Sequence, residues 1–463
     1  MLNPIDGSLS GLRNSAARIF QAGVEAADPY YAVKRCLSIA GQDVVIGLDL
    51  TDPSLTRTKP WSAVHVFAFG KGACAMAQAV QNSIPFSLWA GPGIAVTNDE
   101  NVRPIDHFTV LAASHPLPGQ SGLEAANLIA DRIRQAKQGE LVLILVSGGG
   151  SALLPLPVAP ITLDDKIATT QLLLACGATI NEVNCVRKHL SQIKGGGIAR
   201  LAAPADLHAM ILSDVLGDDL SAISSGPTVP DDSTFSDAVS ILKTKGIWER
   251  VPKPVQAHLI LGLQGAIPET PKTGDPIFVN TSHTLVGSNS ISVAAIHQAA
   301  REQGYETILY SDHLTGEAKD QAEALVLFAK QQMSINHARP VAILAGGETT
   351  VTLKGTGKGG RNQEMALAFA LAAKHHDLQG CWVFLSGGTD GRDGPTDAAG
   401  GLVDNTTLDR LHKAGIDPLA RLSDNDAYHA LQGSQDLLIT GATGTNVADL
   451  QILLIAPHKK IKL

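Results

Sequence analysis

Residues 64–77 read VHVFAFGKGACAMA: an apolar run with the length of a buried strand, a glycine turn, and the small residues that open a helix. Gly70, Gly72 and Ala75 have the G-x-G-x-x-A spacing of a dinucleotide site, where backbone amides and the helix dipole hold a pyrophosphate. Lys71 stands inside that turn, and a cation there suits the phosphate of some other ligand as well as it suits NAD. The stretch decides the fold class, α/β, before it decides the ligand.

The same alternation continues outward. GIAVT, ELVLILV and LHAMILS are short apolar runs, with helical patterns after them, one near 164–176. This predicts an N-terminal Rossmann-like, three-layer α/β/α domain over residues 1–270. The segment VPKPVQAHLILGLQGAIPETPKTGDP, 251–276, gathers prolines and glycines and reads as the connection between domains. A second series, over 271–463, opens with TLVGS before SISVAAIHQAAREQG and continues with ETILYS before GEAKDQAEALVLFAKQQM. After Ala345 it passes into runs separated by glycine turns: TTVTL, CWVFLS, and DLLITGATGTNVADLQILLI, the last reading as a hairpin that closes the sheet. The C-terminal domain is therefore expected to be α/β with a mixed sheet.

A chain of 463 residues exceeds one ordinary core, which agrees with two domains. Its net charge of −8 and lack of a Lys/Arg block argue against nucleic-acid and anionic-membrane partners, so an anionic small molecule must be met by local cations. The five cysteines are scattered and form no C-x-x-C pair, which fits neither a disulfide framework nor a zinc site and suits a reducing cytoplasm. The start MLNPIDGSLSGLRNSAARIF lacks the pattern of a signal peptide, and LVLILV is too short to span a bilayer.

One local theme recurs: ILVSGGGSALL (144–154), ILAGGETT (343–350) and FLSGGTDGRDGPTD (384–397) each run from strand into Ser/Ala-Gly-Gly. Ligands of α/β sheets bind beyond the carboxyl ends of strands, and glycines there let amides approach an anion. SGGGS offers such a nest between Ser147 and Ser151. KGTGKGGRNQE, 354–364, sets Lys354, Lys358 and Arg361 among glycines at the start of a helix; it is no Walker A loop, because Gly359 follows Gly357-Lys358 where Ser or Thr is required. Cations at that end of a helix oppose its dipole unless an anion joins them, and Arg361 is the planar donor for phosphate oxygens. Asp214, closing LHAMILSD, is the carboxylate for Mg²⁺ or for a hydroxyl proton, whereas Asp218, Asp219, Asp231 and Asp232 read as turn and cap residues. Asp390, Asp393, Asp397 and Arg392 share one glycine loop with the character of a magnesium-nucleotide region. His115 in ASHPLPGQSG and Lys194 in VRKHLSQIKGGG complete the residue-level candidates, while Lys188 reads as solvated or paired. No G-x-S-x-G, H-E-x-x-H or protein-kinase signature occurs.

Taken together, FGKGACAMA, ASHPLPGQSG, LVSGGGSALL, KHLSQIKGGGIA, SDVLGDDLSAISSGPTVPD, GGETTVTLKGTGKGGRNQE, LSGGTDGRDGPTDAAGG and TGATGTNV make a chain that resembles the ATP-dependent glycerate 2-kinases whose C-terminal part is the MOFRL region, here about 340–450. The resemblance implies that D-glycerate and ATP meet in a cleft of two α/β domains, with Mg²⁺, to give 2-phosphoglycerate and ADP. It points to Lys71, Asp214 and Arg361 as the catalytic trio and to Asp214 and Asp390 as metal ligands. The matching motifs carry the expected substrate and phosphate contacts: Gly70, Gly72, His115, Ser147, Gly148, Gly149, Gly150, Ser151, Lys194, Glu348, Lys358, Gly359, Gly360, Asn362, Asp390 and Asn446. The choice of the 2-hydroxyl comes from the resemblance alone; the protein is expected in the cytoplasm, as a monomer or homodimer. Two alternatives stand beside it. One is an NAD(P)H-dependent hydroxypyruvate reductase using Gly70, Gly72 and Ala75, with Asp99 as ribose acceptor; the other is a ligand-binding protein without catalysis.

Overall fold

A computed structural model describes residues 6–334 and 339–456. The chain divides into two compact units, one formed by residues 29–286 and the other by residues 1–28 together with 287–463.

In the unit 29–286, the strands Val64–Phe69, Gly93–Thr97, Phe108–Ala112, Leu141–Val146, Asp206–Leu212 and Thr281–Gly287 form one sheet. Counted along the chain, their order is third, second, first, fourth, fifth, sixth, and the first five run parallel. VHVFAF and LVLILV are buried at every position because helices cover both faces, so neither run alternates with polar residues. Phe67, Phe69, Val142, Ile144 and Val146 pack toward the helices Gln120–Ile133 and Gly197–Ala202, and the helix Ala73–Gln81 covers the other face. This is the doubly wound order, whose topological switch falls between the first and fourth strands. There the turns after Phe69 and Val146 lie side by side.

The expected connection at 251–276 is instead part of this unit. Its helix Lys253–Leu263 buries Val255 and Leu259 against the helices Leu163–Ala175, Ile180–His189 and Phe235–Thr244, and Pro254 is accommodated in the helix's first turn. The run TLVGS likewise completes the first sheet rather than opening a second one, so the division falls at 286/287 and not near 270.

The other unit is a mixed sheet in the order Glu306–Leu314, Val341–Gly347, Asp449–Ala456, Cys381–Gly388, Gly400–Asp404, Leu437–Leu438. TTVTL forms no strand. DLLITGATGTNVADLQILLI is no hairpin: its first part is a two-residue edge strand, and its second is a central strand antiparallel to both Val341–Gly347 and Cys381–Gly388. The continuous apolar character of DLQILLIA is that of a strand covered on both faces. The helix Leu9–Ala26 belongs here because Leu12, Ala16, Ile19, Phe20 and Val24 form one helical stripe, buried with Val293, Ile296, Leu385 and Leu450. Ser8 caps its first turn, and Arg13 pairs with Asp404 and Asp436.

Candidate active site

At the switch point of the parallel sheet the glycine turn is packed, not open. Gly70 sits at φ +119° and a Cβ there would collide with the hydroxyl and carbonyl oxygens of Ser147. The turn's amides all have protein acceptors: Gly70 donates to Val96 O at 3.1 Å, Lys71 to Gly148 O at 2.9 Å, Gly72 to Ser147 Oγ at 3.0 Å and Ala73 to Gly70 O at 3.2 Å. The expectation that Gly70, Gly72 and Ser147 bind phosphate is corrected accordingly: they lock the Lys71 turn onto the next loop. What this turn offers a ligand is the exposed Lys71 side chain.

The adjacent loop behaves differently. Gly149 takes the left-handed conformation, φ +83°, ahead of the short helix Gly150–Leu153, and the amides of Gly149 and Gly150 have no acceptor among the described residues. His115 and the Lys71 stem lie against Gly149, and the Asp214 carboxylate lies against Gly148. Burial raises the Asp214 pKa, and the Lys71 charge works in the opposite direction. Burial, reinforced by Lys71, lowers that of His115, which favours a neutral imidazole. A cavity of about 450 Å³ opens here, lined by Gly149, Gly150, Ser151, Asn184, Arg187, Asp214 and Ser224 among others. Lys194 is 3% exposed and donates to Ser151 Oγ at 3.3 Å and Ser224 O at 3.1 Å. Lys188 is paired, with Asp231 at 3.2 Å.

In the second unit, Arg361 starts the helix Arg361–His375 directly after Gly360. Its Nε and Nη2 donate to the two carboxylate oxygens of Asp449 at 2.6 and 3.0 Å, and its Nη1 lies 2.8 Å from Glu348. Burial opposes the charge of Arg361, but the Asp449 hydrogen bonds and the charges of Asp449, Glu348 and Asp393 outweigh it and raise the pKa. The anion that the sequence demanded at this helix end is thus met inside the protein. Asp393 caps the same end, accepting from the amides of Asn362 at 3.1 Å and Gln363 at 2.8 Å; burial nevertheless lifts it to about 6. Asn362 Oδ1 accepts from Ser386 at 2.7 Å. The Lys358 ammonium sits 4.3 Å from the Tyr428 ring centre, while Gly359 precedes Gly360 on the approach to the helix. Asp390 accepts from the Arg392 amide at 2.9 Å, and its carbonyl accepts from Thr443, three residues before Asn446.

Among the described residues, no group of three His, Cys, Asp or Glu side chains converges as a metal cage. Asp214, a single carboxylate on a cavity wall, matches the sparser protein ligation of Mg²⁺, which draws its other ligands from phosphates and water. Sequence reading passed over Lys166, Arg187 and Asp449, and it placed Asp393 in a magnesium-nucleotide loop where the structure has it capping the Arg361 helix. The signal for Lys166 was present: it shares an i, i+3, i+7 stripe with buried Thr169 and Leu173 in the helix Leu163–Ala175. Asp449 stands directly before LQILLI, a carboxylate at the mouth of a buried strand.

Residues 15–260 match a family described as "Domain of unknown function (DUF4147)", and residues 341–449 match the MOFRL family. A glycerate 2-kinase of Pyrococcus horikoshii is 39% identical, over 97% of this chain and 98% of its own length. A putative hydroxypyruvate reductase of Agrobacterium vitis is 40% identical, over 96% of this chain and 94% of its own. The crystal structure of a glycerate kinase from Thermotoga maritima superposes with a TM-score of 0.84 at 37% identity, covering 96% of this chain and 100% of that one.

Proposed function

Because the chain belongs to the family of MOFRL-domain glycerate kinases, we propose that it transfers the γ-phosphoryl group of ATP to the 2-hydroxyl of D-glycerate, giving ADP and 2-phosphoglycerate. The observation that carries this reading is the cavity lined by Asp214, Gly149 and Gly150, whose glycine amides are open, with the Lys71 stem lying against Gly149. Asp214 accepts the hydrogen bond of the acceptor hydroxyl, and its raised pKa makes it a better proton acceptor than an ordinary aspartate. Lys71 and the glycine amides stabilise the negative charge of the transferring group, which is where the catalysis of phosphoryl transfer chiefly resides. Mg²⁺, with Asp214 as its protein carboxylate, would supply further neutralisation of the nucleotide phosphates; Asp390 is the other candidate ligand.

The reductase named for the Agrobacterium relative is the second reading, and G-x-G-x-x-A spacing favours it. Against it, the amides that such a fingerprint presents to a pyrophosphate are already taken by Val96, Gly148 and Ser147. Incubation with D-glycerate and Mg-ATP, followed by phosphorus NMR, should show ADP and 2-phosphoglycerate. NADH oxidation with hydroxypyruvate and no ADP would decide for the reductase, and 3-phosphoglycerate would correct the regiochemistry.

A further inference from the structure

Lys166, Arg187 and Lys194 come from three separate segments and meet around Ser151. The Arg187 guanidinium donates to the Ser151 carbonyl at 3.3 Å, and the Lys194 ammonium donates to the Ser151 hydroxyl at 3.3 Å. Lys166 is 4% exposed; its ammonium and the Arg187 Nε find no acceptor among the described residues. No carboxylate pairs with any of the three among the described residues, in contrast to equally buried Lys188, which has Asp231. Burial and then mutual repulsion push Lys166 down to about 7 and lower Lys194 as well. Like charges gathered out of water without a counter-charge are costly, which identifies a place built for an anion.

Arg187 and Ser151 line the cavity that contains Asp214, and they also line a second cavity of about 160 Å³ together with Lys166, Leu117 and Thr170. We propose that the cluster is the carboxylate subsite of the acceptor acid, with Arg187 gripping the carboxylate and Lys166 and Lys194 supplying the field, so that the hydroxyl end is left toward Asp214. The assignment rests on the glycerate-kinase reading. A planar guanidinium matches a carboxylate in two-point contact, and the phosphoryl end is separately served by Lys71 and the Gly149 and Gly150 amides.

Calorimetric titration of the full chain, without nucleotide, separates the two readings. D-glycerate should bind wild type about 10- to 100-fold more tightly than its uncharged amide, the range expected from charge-assisted hydrogen bonds. Lys166→Met and Arg187→Gln should each lose about 10-fold or more in affinity for the acid, with amide and ATP binding unchanged. Equal affinity of wild type for acid and amide overturns the proposal, and that result needs no variant to fold. Loss of ATP affinity in place of glycerate affinity overturns it too, by making the cluster a phosphate site. Acid binding as expected, with no ADP ever formed, leaves the subsite standing and removes the kinase reading.

Discussion

Lys166 shows how a single side chain can be costly in the free protein and useful in the complex. It titrates at the ordinary 10.5 when unfolded and at about 7 when folded, so between those values the unfolded chain holds the extra proton. Stability from this residue therefore rises with pH across that window, by about 1.4 kcal/mol per unit, and below about pH 7 the whole cost is present. Lys166→Met removes the cost. In urea titrations without ligand, the variant should exceed wild type most at pH 7 and the gap should close toward pH 10; a constant gap would mean that Lys166 keeps its ordinary protonation. Lys71 presents the opposite case: its side chain is exposed and its turn is held by main-chain bonds. Lys71→Ala should keep the circular dichroism of wild type while kcat falls about 10³-fold. Unchanged turnover would remove Lys71 from the chemistry. The lysine's nomination was legible in FGKGA; the locked amides beneath it were not, because the Ser147 loop that takes them lies 75 residues away.

At the level of elements, the sequence was readable wherever period and burial agree. VHVFAF and LVLILV are strands as expected, and RNQEMALAFALAA is the helix after the glycine loop. It misled where a local pattern has two solutions. Two apolar runs around TGATGTN look like a hairpin, yet tertiary pairing sends them to different places in the sheet, and the prolines near 254 mark a helix start as readily as a linker. The start of the helix Arg361–His375 has the largest experimental consequence. Its cations looked unsatisfied in sequence, whereas Asp449, with a fully buried side chain, grips Arg361 at two points. Arg361→Ala should therefore cost stability on the order of 3–5 kcal/mol by stranding Asp449, and lost activity in that variant alone says little about catalysis. Adding Asp449→Asn should recover a good part of the stability in chemical denaturation, and activity should stay absent if Arg361 touches the nucleotide. Recovery of both would make the pair purely structural.

At the scale of the whole chain, two α/β sheets were legible, and their division was not. Residues 9–26 fall inside the domain expected over 1–270, but the apolar stripe of the helix Leu9–Ala26 belongs to the sheet made by the last third of the chain. Burying Leu12, Ile19, Phe20 and Val24 is worth roughly 6–12 kcal/mol as an upper bound. A chain beginning at residue 29 should accordingly lose protease resistance over 287–463 and keep it over 29–286, as mass spectrometry of the fragments will show; equal resistance in both would make the helix dispensable. The central position of Asp449–Ala456 reaches further, to the order in which the chain is made. Until that strand leaves the ribosome, Val341–Gly347 and Cys381–Gly388 lack the neighbour they share, the helix Leu9–Ala26 has an incomplete surface to dock on, and Arg361 has no Asp449. A nascent chain cut off at residue 448 is thus not a nearly finished enzyme but an open sheet in two halves. Late frameshifts and stop codons should therefore act as null alleles, their products cleared by proteolysis.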